Sequence, residues 1–269
     1  MKRLTLNDIQ NVSLEVLKDI HSFCICHHIN YSLAYGSLIG AIRHKGFIPW
    51  DDDIDIIMLR PEYERFCNTY HSQKCKLVSP QDSFINYARV CDIKHTTYYT
   101  LSPWTKDNTV GVWIDIFPID SVEDDFTLFS ARINRLKHLL DLQVDGRSYL
   151  RKFRFSFNPH ELYSYFSVKR RFSNINIKEI KEQIDSIIKE IPFASTNHCS
   201  QLVCRGNQNK EFFTLDMFES FHCVPFCDTE FMVANGWQDI LELNYGDYMQ
   251  LPPIEQQQPH GGFVTFYWR

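Results

Sequence analysis

Nowhere in its 269 residues does the chain hold an apolar run approaching the roughly 20 residues that a membrane-spanning helix needs. No transmembrane segment is expected. The N-terminus, Met1-Lys2-Arg3-Leu4-Thr5-Leu6-Asn7-Asp8, starts basic, but polar side chains interrupt it at once, so no secretory leader is expected. Basic excess is missing too. With 28 Lys and Arg against 33 Asp and Glu, the formal net charge is -5. A general nucleic-acid binder would carry a basic face instead, so no nucleic-acid partner is expected. The nine cysteines lack the tight two-residue spacing of zinc knuckles. Cys24 and His28 are four apart on one helical face, while Cys199, Cys204, Cys223 and Cys227 form two loose pairs. Free thiols in a reducing compartment are the simpler reading. Internal repeats and low-complexity tracts are also absent. These absences point to a cytoplasmic protein and leave peripheral docking at the inner face of a membrane open.

What is present suffices for a packed core: 44% of residues are hydrophobic and 14% aromatic. Apolar side chains recur near helical spacing over residues 6–27, where Thr5 or Asn7 is suited to cap the start. Residues 31–35 read as a short strand ending at Gly36, and 37–44 as a brief helix. A loop closed by Pro49 leads into residues 53–58, where acid alternates with isoleucine in the period-2 pattern of a strand with one polar face. Pro61 opens a helix to residue 70. Further strands are expected over 76–78, 86–93 and 110–118, and a helix over 126–142. Residues 145–157 read as basic and irregular, and 160–190 as one or two helices. The basic stretch 169–171 is a solvated helix face on this reading. Past residue 196, short strands mix with a helix near 236–243.

The chemistry concentrates in Asp51-Asp52-Asp53-Ile54-Asp55. In a strand, Asp53 and Asp55 project to one face. Carboxylates held a few ångströms apart repel unless one is protonated or a cation lies between them. Hard oxygen donors of this kind suit Mg²⁺ or Mn²⁺. The segment lacks the glycine and distal glutamate of a helix–loop–helix calcium site. Asp115, inside the apolar run Val110-Gly111-Val112-Trp113-Ile114-Asp115-Ile116-Phe117-Pro118, is costly to bury unpaired. It reads as a third ligand, or else as a buried ion pair with Arg89 or Lys94. Upstream, Gly36-Ser37 at a helix start would let a backbone approach phosphate, with Arg43, His44 and Lys45 as a cationic cluster beyond it. Cations for phosphate beside carboxylates for metal suit phosphoryl transfer. A solvated acidic turn after an ordinary helix cap is the plainer alternative.

The stretch Tyr35-Gly36-Ser37-Leu38-Ile39-Gly40-Ala41-Ile42-Arg43-His44-Lys45-Gly46-Phe47-Ile48-Pro49-Trp50-Asp51-Asp52-Asp53-Ile54-Asp55-Ile56 resembles the signature of the LicD family. These are bacterial phosphocholine transferases and relatives, distantly related to the fukutin-type ribitol-phosphate transferases. Trp113-Ile114-Asp115-Ile116-Phe117-Pro118-Ile119-Asp120 resembles the family's second acidic strand, and residues 243–253, around Tyr245-Gly246-Asp247, its C-terminal motif. After Pro252-Pro253 the chain departs from the pattern: many relatives place a basic residue where Gln256-Gln257-Gln258 stand here.

The resemblance implies an α/β (α+β) nucleotidyltransferase-like fold, a mixed sheet flanked by helices. It implies one catalytic domain over 1–269, with a core at about 30–120 and 196–255 and a helical insertion at about 122–195. Asp53, Asp55 and Asp115 would be catalytic and hold Mg²⁺ or Mn²⁺. Arg43 and Lys45, with His44 beside them, would hold donor phosphate near Gly36 and Ser37; Arg89 and Lys94 are further candidates. Tyr245, Gly246 and Asp247 would close the pocket or contact substrate, or would form a structural turn. The implied reaction moves a phospho-alcohol such as phosphocholine from a CDP-activated donor to a sugar hydroxyl of a surface or capsular glycan or glycolipid, releasing CMP. An aspartate or a metal-bound hydroxyl would take the acceptor proton. The alternatives are a nucleotidyltransferase that moves an NMP group and a non-catalytic nucleotide- or glycan-binding module on the same fold.

Overall fold

A computed structural model describes residues 1–83, 85–100, 111–149, 163, 166, 176–204, 210–259 and 264–269. Helix α1 (Leu6–His27) begins at a reciprocal cap: the Thr5 hydroxyl accepts from the Asp8 N–H while the Asp8 carboxylate accepts from the Thr5 N–H. Its buried face carries Val16, Leu17, Ile20 and Cys24 and packs on the sheet. Strand β1 (Ser32–Leu33) is shorter than its apolar pattern predicts, because Tyr35 already opens helix α2 (Tyr35–Ile39). A π turn over Gly40–His44 follows, in place of the single helix expected.

Strand β2 (Asp55–Leu59) starts two residues later than predicted, so Asp53 lies in the loop ahead of it. Helix α3 (Arg60–Thr69), with proline in its first turn, leads to β3 (Cys75–Val78), β4 (Ala88–Asp92) and β5 (Thr96–Thr100). Strand β6 (Trp113–Val122) runs past Pro118, where the sequence pattern predicts an end. Pro118 falls between the β4 ladder, which stops at Ile116, and the β7 ladder, which starts at Asp120. A missing N–H there breaks no antiparallel pair. Helix α4 (Phe126–Tyr149) includes residues 145–149, which were expected to be irregular. Helix α5 (Ile177–Ile188) packs against α4, and the buried Arg132 guanidinium donates to the carbonyls of Ile187 and Ile188 at its end. The remaining readings for 150–175, with the basic stretch 169–171, lie outside the described residues.

Strands β7 (His198–Ser200), β8 (Phe213–Thr214), β9 (Phe221–Phe226) and β10 (Thr229–Ala234) precede helix α6 (Trp237–Tyr245) and β11 (Val264–Trp268). The main sheet is mixed, in the order β1-β2-β6-β4-β3, with β7 paired to the far end of β6 and β8 paired to β7. Strands β2 and β6 are parallel and the other ladders antiparallel. Two-stranded pairs β9–β10 and β5–β11 lie outside it. The mixed sheet with surrounding helices is the α+β architecture expected. Its core is continuous, from Leu17 and Ile20 through Ile54, Ile56, Ile114 and Ile116 to Phe129 and Ile184. Among the described residues, no helix is long and apolar enough to cross a membrane.

Candidate active site

The two parallel strands carry the acids to one place. In their register Asp55 stands opposite Asp115, flanked by the buried pairs Ile54–Ile114 and Ile56–Ile116. Isoleucine on one face locks the register, because a slip of one residue would drive carboxylates into the core. Asp53 reaches the same place from the loop, so its position owes nothing to strand alternation. Carboxylate oxygens of Asp51, Asp52 and Asp53 lie within 4.8 Å of one another. The tightest acidic group is therefore this run rather than Asp53, Asp55 and Asp115, and it adds the buried Asp51 to the site.

Burial, then the charges of Asp51, Asp52 and Asp115, push the Asp53 carboxyl up to about 7. Burial also drives Asp55 well above the carboxylate range, with Asp53, Asp115 and Asp51 adding to it and Arg89 opposing. Carboxyls held protonated by burial and by one another's charge will shed protons to a cation. The all-oxygen donor set fits Mg²⁺ or Mn²⁺ and offers nothing to a soft metal. No cysteine among the described residues joins such a group, and Cys24 and Cys199 are buried in the core.

Asp115 makes the ion pair weighed for it. Arg89 Nε donates to its Oδ1 at 2.6 Å, so the ion pair is present, while the register keeps Asp115 beside Asp55. Arg89 is held further by the Tyr87 hydroxyl and lies over the Trp113 ring, 4.6 Å from its centroid. Its charge is thus committed to the acids. Lys94 is not brought to the site. It lies past the end of β4, in the turn where its N–H donates to the Asp92 carboxylate.

The Gly36-Ser37 step serves the acids directly. A Cβ at Gly36 would come within 2.6 Å of Asp51 Oδ2, so glycine is what lets this carboxylate lie against α2. The Ser37 hydroxyl accepts the Asp55 N–H at 2.9 Å and fixes the start of β2. Tyr35 adopts φ 48°, a left-handed conformation that bulky residues rarely take. Its hydroxyl donates to Glu211 at 3.4 Å. Glu211 is buried, and burial pushes its carboxyl up to about 7. Sequence reasoning missed it, because Lys210-Glu211-Phe212 carries no motif or periodicity.

Arg43 is spent elsewhere than expected. Its guanidinium donates to the carbonyls of Tyr248 (2.6 Å) and Gln250 (3.2 Å) and to the His44 ring (2.9 Å), tying the π turn to the C-terminal segment. Burial, then the Arg43 charge, lowers the His44 imidazole pKa. Lys45 is exposed, and its carbonyl accepts the Cys227 N–H. Tyr245 ends α6 with its ring partly exposed. Its hydroxyl is raised chiefly by burial, and it feels Asp55, Glu211, Asp51 and Asp53. Gly246 turns the chain at φ 67°, its N–H donating to the Glu242 carbonyl, while Asp247 caps the next turn by accepting the Gln250 N–H. Gly246 and Asp247 thus make the structural turn weighed for this motif, and the Tyr245 hydroxyl lies within electrostatic reach of the acids.

Residues 28–139 match the model of the LicD/FKTN/FKRP nucleotidyltransferase domain. Over 269 aligned residues the chain is 29% identical to the lipopolysaccharide cholinephosphotransferase LicD of Haemophilus influenzae, covering 97% of both proteins. An uncharacterized protein of Rickettsia typhi is 30% identical over 102 residues, 38% of this chain and 29% of that protein. An uncharacterized protein of Rickettsia prowazekii is 39% identical over 57 residues, 21% of each. The matched domain spans α2, β2 and β6 with Asp53, Asp55 and Asp115 on them or beside them, and the full-length alignment carries the likeness to a LicD phosphotransferase through α6.

Proposed function

We propose that this protein transfers phosphocholine, or a closely related phospho-alcohol, from a CDP-activated donor to a sugar hydroxyl of a surface glycan, with CMP as leaving group. Lipopolysaccharide is the first acceptor to test, since the Haemophilus relative is named for it and aligns over nearly its whole length. The observation that carries the reading is the pairing of Asp55 with Asp115 on parallel strands, joined by Asp53 in one acid-lined site. Asp53, Asp55 and Asp115 would hold Mg²⁺ or Mn²⁺, with Asp51 and Asp52 adding negative field. A cation bound there supplies positive charge against the pyrophosphate as charge builds on the leaving CMP. Arg89 pairs with Asp115 and orients it. Of the Arg43-His44-Lys45 cluster, the exposed Lys45 is the cation to meet donor phosphate, with the His44 ring beside it, and Tyr245 closes the pocket from α6. Residues 1–269 form one catalytic domain on this reading, with about 122–195 as its helical insertion, and the protein works at the cytoplasmic face of the membrane.

In the transfer, the acceptor oxygen forms a bond to the phosphorus that carries the alcohol. The bond from that phosphorus to the bridging oxygen breaks, and its electron pair leaves on CMP. Incubation with a panel of CDP-alcohols, Mg²⁺ and lipopolysaccharide, scored for CMP, tests this. CMP release with CDP-choline is expected. Absence of turnover with every donor would sink the donor class, and pyrophosphate release from a nucleoside triphosphate would favour nucleotidyl transfer.

A further inference from the structure

One buried acid takes no part in the roles above. Glu211 is 7% exposed, and among the described residues its hydrogen-bond partner is the Tyr35 hydroxyl, with no cation paired to it. A carboxyl so placed is expensive in a purely structural role, since an apolar side chain would fill the space at less cost. Its position is specific. Tyr35 directly precedes Gly36, which seats Asp51, and Ser37, which anchors Asp55. From other sides, the Tyr245 hydroxyl and the Cys204 thiol each lie within electrostatic reach of both Glu211 and Asp55. Among the described residues, the ionisable groups facing Glu211 are Tyr35 from α2, Tyr245 from α6 and Cys204.

We propose that Glu211 is the proton acceptor of the transfer reaction, an inference that rests on the function proposed above. As the acceptor oxygen bonds to phosphorus, its proton passes to a Glu211 carboxylate oxygen, and the electron pair of the broken P–O bond leaves on CMP. Atoms and charge balance with no further reactant. The aspartates are poorly suited to this step, because a carboxylate that donates to a divalent cation loses basicity. Glu211 is not among the acids that act most strongly on Asp53 and Asp55, so it stands clear of the cation they would share. Burial holds its proton affinity near neutrality, where a general base is most effective.

The test is the pH dependence of CMP release at saturating Mg²⁺ for wild type, Glu211→Gln, Glu211→Asp and Tyr35→Phe. Each variant is checked for folding by thermal melting and for cation binding with Mn²⁺. The wild-type rate should rise with pH through about 7. Glu211→Gln should lower kcat by about 100-fold or more, with little change in KM for the donor, and abolish that rise. Glu211→Asp should restore part of the rate. Tyr35→Phe removes the hydroxyl that favours the Glu211 carboxylate, so the rise should move to higher pH. A folded Glu211→Gln protein with the rise intact overturns the proposal and leaves the transferase reading standing. Should Glu211→Gln fail to fold, Tyr35→Phe decides, and an unmoved rise overturns it. If wild type releases no CMP from any CDP-alcohol, both fall.

Discussion

Gly36 shows how a single residue can be legible in sequence while its contact is not. Its place at a helix start follows from the pattern alone, yet its lack of a side chain also makes room for the Asp51 carboxylate. No one-dimensional signal shows that contact, because the partner lies fifteen positions away across a loop. Gly36→Ala should therefore displace Asp51 and lower CMP release at least about tenfold, with a stability cost of about 1–3 kcal/mol from overpacking. Kinetics and urea melts read the two effects separately. Arg89 and Arg43 make the same point. Both were legible as cations near an acidic segment, but each guanidinium finds its partners through tertiary contacts, Arg89 in Asp115 and Arg43 in backbone carbonyls of the C-terminal segment. Glu211 was illegible because burial, not spacing, gives it its chemistry.

At the scale of elements, local periodicity identified α1, α3, β2 and α6 within a few residues, since each has one apolar face and a distinct start or stop. The β5–β11 pair joins strands some 160 positions apart, beyond the reach of any local pattern. The continuation of β6 past Pro118 likewise depends on where neighbouring ladders end. The link from the π turn to the C-terminal segment is a tertiary feature with a functional consequence. Arg43→Met should release the carbonyls of Tyr248 and Gln250 and let residues 246–251 move away from the acids. Faster amide exchange confined to that segment is expected, with kcat/KM reduced about tenfold and the melting temperature shifted by no more than a few degrees. Exchange unchanged there would show that the segment is held by other contacts.

Across the whole molecule, the acids make stability depend on pH in an unusual direction. Asp53, Asp55 and Glu211 hold their protons more tightly when folded than in the unfolded chain, where carboxyls titrate at about 4. The folded state therefore binds more protons between about pH 4 and 7, and stability falls as pH rises through that window. The penalty is absent below the unfolded values and complete above the folded ones. Without divalent cations the melting temperature should drop by several degrees from pH 6 to pH 8, at about 2–4 °C per kcal/mol for a chain of this size. Mg²⁺ should recover more of it at pH 8 than at pH 6, because binding competes with protons. That behaviour follows from the central claim, that Asp53, Asp55 and Asp115 hold a divalent cation where β2 meets β6. Calorimetric titration of Mn²⁺ into wild type and Asp55→Asn tests the claim most directly. One specific binding event in wild type, weakened at least about 30-fold in a folded Asp55→Asn protein, is expected; equal affinity in the two would contradict it.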